Sequence, residues 1–84
     1  MDQDSRLSAS LEDYLEAIYH ISEEKRAARA KDIADRLGVS SSSVTGALHA
    51  VRDRELVNYA PYDLVTLTPA GEAAGRAVVR RHEA

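Results

Sequence analysis

The strongest constraint on the fold is the stretch from residue 30 to residue 57, where two short helical patterns are separated by a glycine. In the first pattern, Ile33, Ala34 and Leu37 recur at the spacing of one helix face, which predicts a helix from about Ala30 to Leu37. Gly38 follows directly, at a position where glycine commonly ends a helix. A tight turn and a second helix are therefore expected.

The second pattern begins in the run of serines at positions 40 to 43. One of these serines is expected to cap the next helix by accepting a free backbone N–H. Val44, Leu48 and Val51 then lie four and three residues apart, so they share one inward face. The helix is expected to continue to about Arg54, and two helices joined in this way form a helix-turn-helix unit.

A further helix is expected on each side of this unit. The first runs from about Ser10 to Ser22, and Ser10 with Asp13 has the spacing of a capping box. Residues 1–9 are expected to form a flexible N-terminus. The last helix is expected to be capped by Thr68 and to carry Pro69 in its first turn, where the missing N–H has no cost.

Between the unit and the last helix, the sequence predicts a hairpin. Residues 56–60 and 64–68 are rich in β-branched and aromatic side chains, and Pro61 begins the turn between them. The fold class expected for residues 10–84 is mainly α with a small β-hairpin, a winged helix-turn-helix.

Composition narrows the class of protein. With 84 residues the chain is one small domain, and the absence of cysteine excludes disulfides and thiolate metal sites. No apolar run approaches the roughly 20 residues that span a bilayer, and the N-terminus does not resemble a signal peptide. We expect a cytoplasmic protein with no membrane partner. An enzyme is not expected, because no nucleophile with a base and no phosphate-binding loop can be found.

Charge is unevenly distributed along the chain. The overall net charge of −3 disfavours nucleic acid, but residues 1–24 carry −6, residues 25–54 carry +4 and residues 55–84 carry −1. The helix-turn-helix region is therefore the basic part of the chain, unless the pattern is ordinary surface scatter. Its predicted partner is double-stranded DNA, whose major groove, about 12 Å wide, admits a helix.

The candidate DNA-contacting residues are small hydroxyl or basic side chains in and around the third helix. They can bond phosphates or base edges, although the serines can equally serve only to cap the helix and solvate the turn. Four basic residues are better placed to contact phosphates than bases: Arg29, Lys31, Arg52 and Arg54. Few side chains are therefore available to recognise a specific base sequence. The candidates are Arg29, Lys31, Ser40, Ser41, Ser42, Ser43, Thr45, Gly46, His49 and Arg52.

Two acidic residues on the first helix form a candidate metal site. Asp13 and Glu16 are three residues apart, so their carboxylates project from one face and can chelate a divalent cation. Without further context, the same pair is better explained as a solvated acidic surface that favours the helix dipole. His82 lies near the end of a basic helix. It can be a metal ligand, or it can simply complement the negative end of that helix dipole.

Most of the chain from Ser10 onward resembles the N-terminal domain of the diphtheria-toxin-repressor and manganese-transport-regulator family. The segments that carry the resemblance are EDYLEAIY, IADRLGVSSSSVT, LTPAG and RRHE, in that order and spacing. Members of this family are dimeric, metal-activated transcriptional repressors that bind palindromic operators. The resemblance implies a metal site formed by Asp13, Glu16 and His82 between the first and last helices.

Aspartate at position 13, where iron-type members have methionine, implies manganese as the metal in preference to iron. The resemblance also implies that further metal ligands come from a dimerisation domain after residue 84. The metal site is therefore expected to be incomplete here. A homodimer is expected to form only when that domain is present. Two alternatives stay open: a winged-helix protein-interaction module, and a metal-independent regulator of the multiple-antibiotic-resistance type. The positions of Arg29, Lys31, Arg52 and Arg54 distinguish DNA binding from protein interaction. If these residues cluster beside the third helix, DNA binding is favoured, and if they are dispersed, protein interaction is favoured.

Overall fold

The computed structural model describes the backbone of residues 2–83 and the side chains of residues 11–62 and 64–83. Within that range the chain forms four α-helices and one small antiparallel sheet. In chain order the elements are α1 (Asp2–Lys25), β1 (Ala28–Arg29), α2 (Ala30–Leu37), α3 (Ser41–Asp53), β2 (Val57–Ala60), a 3-10 turn (Pro61–Asp63), β3 (Leu64–Leu67) and α4 (Pro69–Glu83). The predicted winged helix-turn-helix class is confirmed.

The first helix is longer than predicted. It begins at Asp2 and ends at Lys25, so Ser10 lies inside the helix and the predicted start and capping box at Ser10 are wrong. The physical reason is that no proline or glycine interrupts residues 2–9, and a helix already stabilised by packing extends at little cost. The division of the chain into residues 1–9 and 10–84 stays a prediction, and its outermost positions, 1 and 84, lie outside the described residues.

The turn between α2 and α3 forms as expected. Gly38 adopts the left-handed conformation with φ of 67°, and its N–H donates to the Ala34 carbonyl at 2.8 Å. Ser40 caps α3, since its Oγ accepts the Ser43 backbone N–H at 3.2 Å. These two local devices set the direction in which α3 leaves α2.

The sheet has three strands rather than the two of the predicted hairpin. Its order is β1-β3-β2, and both pairings are antiparallel. In β1, Ala28 lies opposite Val65 and Arg29 lies opposite Leu64; on the other side of β3, Ala60 also lies opposite Leu64. The short strand β1 therefore places Arg29 beside the end of the wing.

The core lies between the helix-turn-helix unit, α1 and the inner face of the sheet. The predicted inward residues of α3 are buried, as are the central apolar residues of α1, α2 and β3. The largest fully buried side chains are Ile18, Ile33, Leu48, Val44, Val51 and Val65. Because one face of α3 is held in this core, its opposite face is presented to solvent.

Helix α4 packs against α1 and the start of the wing through two glycines. A Cβ on Gly71 would lie 1.7 Å from the Leu56 carbonyl oxygen, and one on Gly75 would lie 3.1 Å from the Tyr19 side chain. The start of α4 is fixed by Thr68, whose hydroxyl accepts the Gly71 N–H at 3.0 Å and donates to the Glu55 carbonyl at 2.7 Å. The predicted Thr68 cap is confirmed.

Candidate nucleic-acid interface and metal-binding residues

The exposed face of α3 begins with a cluster of serine hydroxyls. The Ser40 hydroxyl donates to Ser43 Oγ at 3.0 Å and lies 3.2 Å from Ser42 Oγ. Ser40 is thus engaged in capping, while Ser41, Ser42 and Ser43 remain exposed on the first turn. The start of this helix therefore offers small polar groups and free backbone N–H groups, a combination suited to phosphate.

Further along α3, the predicted contact residues are all exposed. Thr45 donates its hydroxyl hydrogen to the Ser41 carbonyl at 3.1 Å, which leaves its oxygen able to accept. Gly46 has no heavy atom within 4 Å of where its Cβ would be, so another molecule can approach the backbone there. Gly46, His49 and Arg52 lie on the solvent-facing side of the helix.

His49 has an aromatic neighbour that sequence analysis missed. Its ring and that of Tyr59 in β2 meet edge to face, with centroids 5.9 Å apart and planes at 65°. A tyrosine in a predicted strand does not by itself indicate which helix residue it meets, so no local signal identified this pair. The contact ties the wing to the middle of α3.

The four basic candidates lie in different parts of the domain. Arg29 is in β1 beside the wing, and Lys31 is exposed on the first turn of α2. Arg52 lies 3.7 Å from Asp53 at the end of α3, whereas Arg54 lines a groove that also involves Leu11 and Tyr14 of α1. Two of the four lie at the end of α3 and two lie outside it, so positive charge is not gathered along α3. Taken alone, this distribution favours protein interaction over DNA binding.

Glu16 and His82, two of the three predicted metal ligands, are in direct contact. His82 Nδ1 lies 2.8 Å from Glu16 Oε1, which joins α4 to α1. Asp13 is exposed and lines the groove between α1 and α3. Among the side chains described, no group of three or more His, Asp and Glu residues is arranged to hold a metal ion. The structure therefore brings together one carboxylate and one imidazole of the predicted set.

Several polar contacts surround this pair that sequence analysis did not identify. Arg81 Nη2 lies 2.7 Å from Glu12 Oε2, one helical turn from Glu16. His20 Nε2 lies 3.7 Å from the second oxygen of Glu16, so two imidazoles flank the same carboxylate. Spacing along α1 pairs His20 with Glu16, but only the packing of α4 on α1 identifies Arg81.

The surroundings of two tyrosines of α1 shift the pKa of a side chain. A hydrogen bond from Arg76 to Tyr19 raises the pKa of Arg76. Burial raises the pKa of the Tyr14 hydroxyl, since its ionised form would lose solvation. Neither side chain is among the predicted site residues.

The fold and the exposed, hydroxyl-rich third helix place the chain in the winged helix-turn-helix class, which includes DNA-binding domains and protein-interaction domains. Residues 6–65 match the family described as iron dependent repressor, N-terminal DNA binding domain. The chain belongs to that family.

Curated relatives agree with this assignment, and a solved structure agrees with the fold. Over 74 residues, 88% of this chain, it is 45% identical to the HTH-type transcriptional regulator MntR of Bacillus pumilus and 43% identical to that of Bacillus subtilis. The match covers 51% and 52% of those proteins, so the chain spans about half the length of these relatives. The backbone resembles wild-type ZitR of Lactococcus lactis with a TM-score of 0.71 at 25% identity, covering 84% of this chain and 50% of that one.

No helix within residues 2–83 is long and apolar enough to cross a membrane.

Proposed function

We propose that this chain is the DNA-binding domain of a metal-dependent transcriptional repressor, with Mn²⁺ as the metal in preference to Fe²⁺. Its partner is a palindromic double-stranded operator, bound by a homodimer that a further dimerisation domain holds together. It acts in the cytoplasm, without a membrane partner and without catalysis. The similarity to MntR proteins supports the choice of metal, because Asp13 and Glu16 supply the hard oxygen ligands that manganese accepts.

The observation that carries the proposal is the contact between Glu16 and His82. An imidazole nitrogen and a carboxylate oxygen 2.8 Å apart on different helices are donors that one divalent cation can share. This donor pair fits a metal, while Asp13, one turn earlier on α1, is a third donor not in contact with the other two. When bound, the metal supplies positive charge that holds both side chains.

Side chains of the protein connect Glu16 to the helix that is proposed to contact DNA. Glu16 is carried by the helix whose buried residues, Tyr14 and Ile18, belong to the same core cluster as Leu48 of α3. Joining Glu16 more firmly to His82 therefore restrains α4 relative to the helix that supports α3. A metal ion that binds one arrangement of these helices more tightly than others favours that arrangement. DNA affinity changes as a result.

DNA binding by the domain alone is expected to be weak. The first turns of α3 carry no Arg, Asn or Gln to make bidentate base contacts, each of which contributes about 1–3 kcal/mol of discrimination. Serine hydroxyls, helix N–H groups and dispersed basic side chains serve mainly phosphates. A partner subunit on the second half-site, about 34 Å away, supplies the rest of the affinity.

Fluorescence anisotropy titration of labelled duplexes with this chain tests the proposal. At low ionic strength the chain should bind, salt should weaken the binding, and Mn²⁺ should strengthen it. A selection from random duplexes should enrich half-sites of a palindrome. Absence of DNA binding at low ionic strength, with the fold intact by circular dichroism, would refute DNA binding and leave protein interaction as the function.

A further inference from the structure

One line of residues on α3 points directly away from the core. The buried residues of this helix fix its inner side, and helical periodicity places on the opposite side four positions separated by four, three and four residues. These positions are Ser42, Gly46, His49 and Asp53. All four are exposed. When such a helix lies in the major groove, this is the line that faces the base edges.

His49 is the side chain of this line best suited to recognising a base. Gly46 has no side chain, and the open space around it lets a base pair come close to the middle of the helix. Ser42 lies on the first turn, where its hydroxyl is 3.2 Å from the capping hydroxyl of Ser40. Asp53 is the last residue of α3 and carries a charge that phosphates repel. The polar side chain at the centre of this line is therefore His49.

Tyr59 fixes the position of the His49 ring. The two rings meet edge to face, with centroids 5.9 Å apart and planes at 65°. Tyr59 is itself held, because it lies opposite the fully buried Val65 in the sheet and packs against the core. Its side chain is thus on the inner face of the wing, the face that meets α3. An imidazole held in this way loses less rotational freedom on binding than an unsupported one.

The imidazole of His49 keeps its hydrogen-bonding groups for another molecule. Within the described residues, neither of its ring nitrogens bonds to a protein group. An imidazole carries at least one N–H donor in either of its usual protonation states. In the major groove guanine presents two adjacent acceptors, N7 and O6, whereas adenine presents one acceptor and one donor and cytosine presents a donor. A donor of fixed orientation therefore matches guanine best.

We propose that His49 recognises a guanine in the major groove, and that Tyr59 is the positioning residue that orients its imidazole. The ring N–H of His49 donates to N7 or O6 of the base, while Tyr59 contacts only the protein in this role. This inference rests on the proposed DNA-binding function and adds to it the base that α3 prefers. The wing then contributes to sequence specificity through α3.

Selection from duplexes with a random central region, at low ionic strength, tests the base preference. Wild type should enrich a guanine at one position of each half-site, and His49→Ala should lose that preference. In anisotropy titrations of the duplex selected by wild type, exchange of this G·C pair for C·G should weaken wild-type binding roughly fivefold, as expected for loss of one hydrogen bond. The same exchange should leave the affinity of His49→Ala unchanged.

Arg52→Ala is the matched control on the same helix. Because Arg52 is exposed and suited to phosphate, its loss should weaken binding to every duplex alike and reduce the slope of log affinity against log salt by about one. The preference for guanine should be retained in this variant. Loss of the preference in Arg52→Ala as well would show that it does not arise from His49, and would overturn the inference.

Two variants of Tyr59 separate positioning from a general structural role. Tyr59→Phe keeps the ring contact and should keep the guanine preference. Tyr59→Leu removes the ring and should reduce that preference, while its affinity for a random duplex stays close to that of wild type and circular dichroism shows an intact fold. A merely structural role would instead lower the affinity for every duplex.

The failure of this inference is distinguishable from failure of the proposed function. Equal guanine preference in wild type and His49→Ala, which alters an exposed side chain, would overturn recognition by His49 alone. An unchanged preference in Tyr59→Leu would overturn the positioning role. If wild type bound no duplex at low ionic strength, the proposed DNA-binding function itself would be wrong.

Discussion

Glu16 and His82 are 66 positions apart in the chain and meet at a distance of 2.8 Å. The contact is made by side chains of α1 and α4, and Arg81 reinforces it by pairing with Glu12 at 2.7 Å. The acidic surface of α1 is therefore neutralised in part by the basic end of α4. The same contact is where the proposed metal acts.

Removal of the Glu16 carboxylate should weaken Mn²⁺ binding. We expect Glu16→Gln to lower the affinity at least tenfold, because a neutral amide is a poorer ligand than a carboxylate. Isothermal titration calorimetry with Mn²⁺ measures the effect. Glu24→Gln, an exposed acid on the same helix, is the matched control and should bind as wild type does.

Asp13 is the more demanding test of the predicted ligand set, because it does not touch the other two residues. If Asp13 is a ligand, Asp13→Ala should also weaken Mn²⁺ binding, measured in the same titration. An unchanged affinity for this variant would remove Asp13 from the site.

Two glycines should respond in opposite ways to alanine. In Gly71→Ala the added methyl group would overlap the Leu56 carbonyl oxygen. Because the backbone must shift to relieve this clash, the substitution should lower the free energy of unfolding by about 3 kcal/mol. Gly46→Ala meets no atom within 4 Å and should raise it by about 0.5–1 kcal/mol, as in an ordinary helix. Urea denaturation of both variants checks the pair, and equal stabilities would contradict the close packing of α4.

The cap of α3 should contribute measurably to stability. Ser40→Ala removes the hydroxyl that accepts the Ser43 N–H, and should cost about 1 kcal/mol in urea denaturation. Ser41→Ala removes a hydroxyl from the next residue, which is already helical and does not cap, and serves as the control. If both variants were equally destabilised, the cap would not be Ser40.

Tyr14 should make stability depend on pH in the alkaline range. Because burial raises its pKa in the folded state above 10.0, its contribution is complete below about pH 10 and is lost as pH rises through the folded value. Tyr14→Phe should therefore lose less unfolding free energy than wild type as the pH rises above about 10. The control is Tyr62→Phe, at an 89% exposed ring, which should follow wild type.

Elements with a local signal could be predicted from the sequence. The α2 boundaries, the Gly38 turn, a serine cap on α3 and the Thr68 cap all depend on residues within four positions of each other. The buried face of α3 was predictable for the same reason, since helical periodicity places Val44, Leu48 and Val51 together.

Features that depend on distant parts of the chain were not predictable in this way. Strand β1 has only two residues and exists because β3, more than thirty positions later, pairs with it. The placement of Arg29 beside the wing follows from that pairing. The contact of Glu16 with His82 was expected only through the resemblance to a known family, since spacing relates residues within a helix and not between α1 and α4.

The packing of α4 on α1 joins the first and last helices described. Contacts between residues so far apart in sequence require closure of a long loop, so they tend to form late in folding. A cation held by Glu16 and His82 would stabilise interactions that are mostly absent from the folding transition state. Its kinetic effect is then to slow unfolding, with little change in the folding rate, and so to lengthen the lifetime of the closed domain.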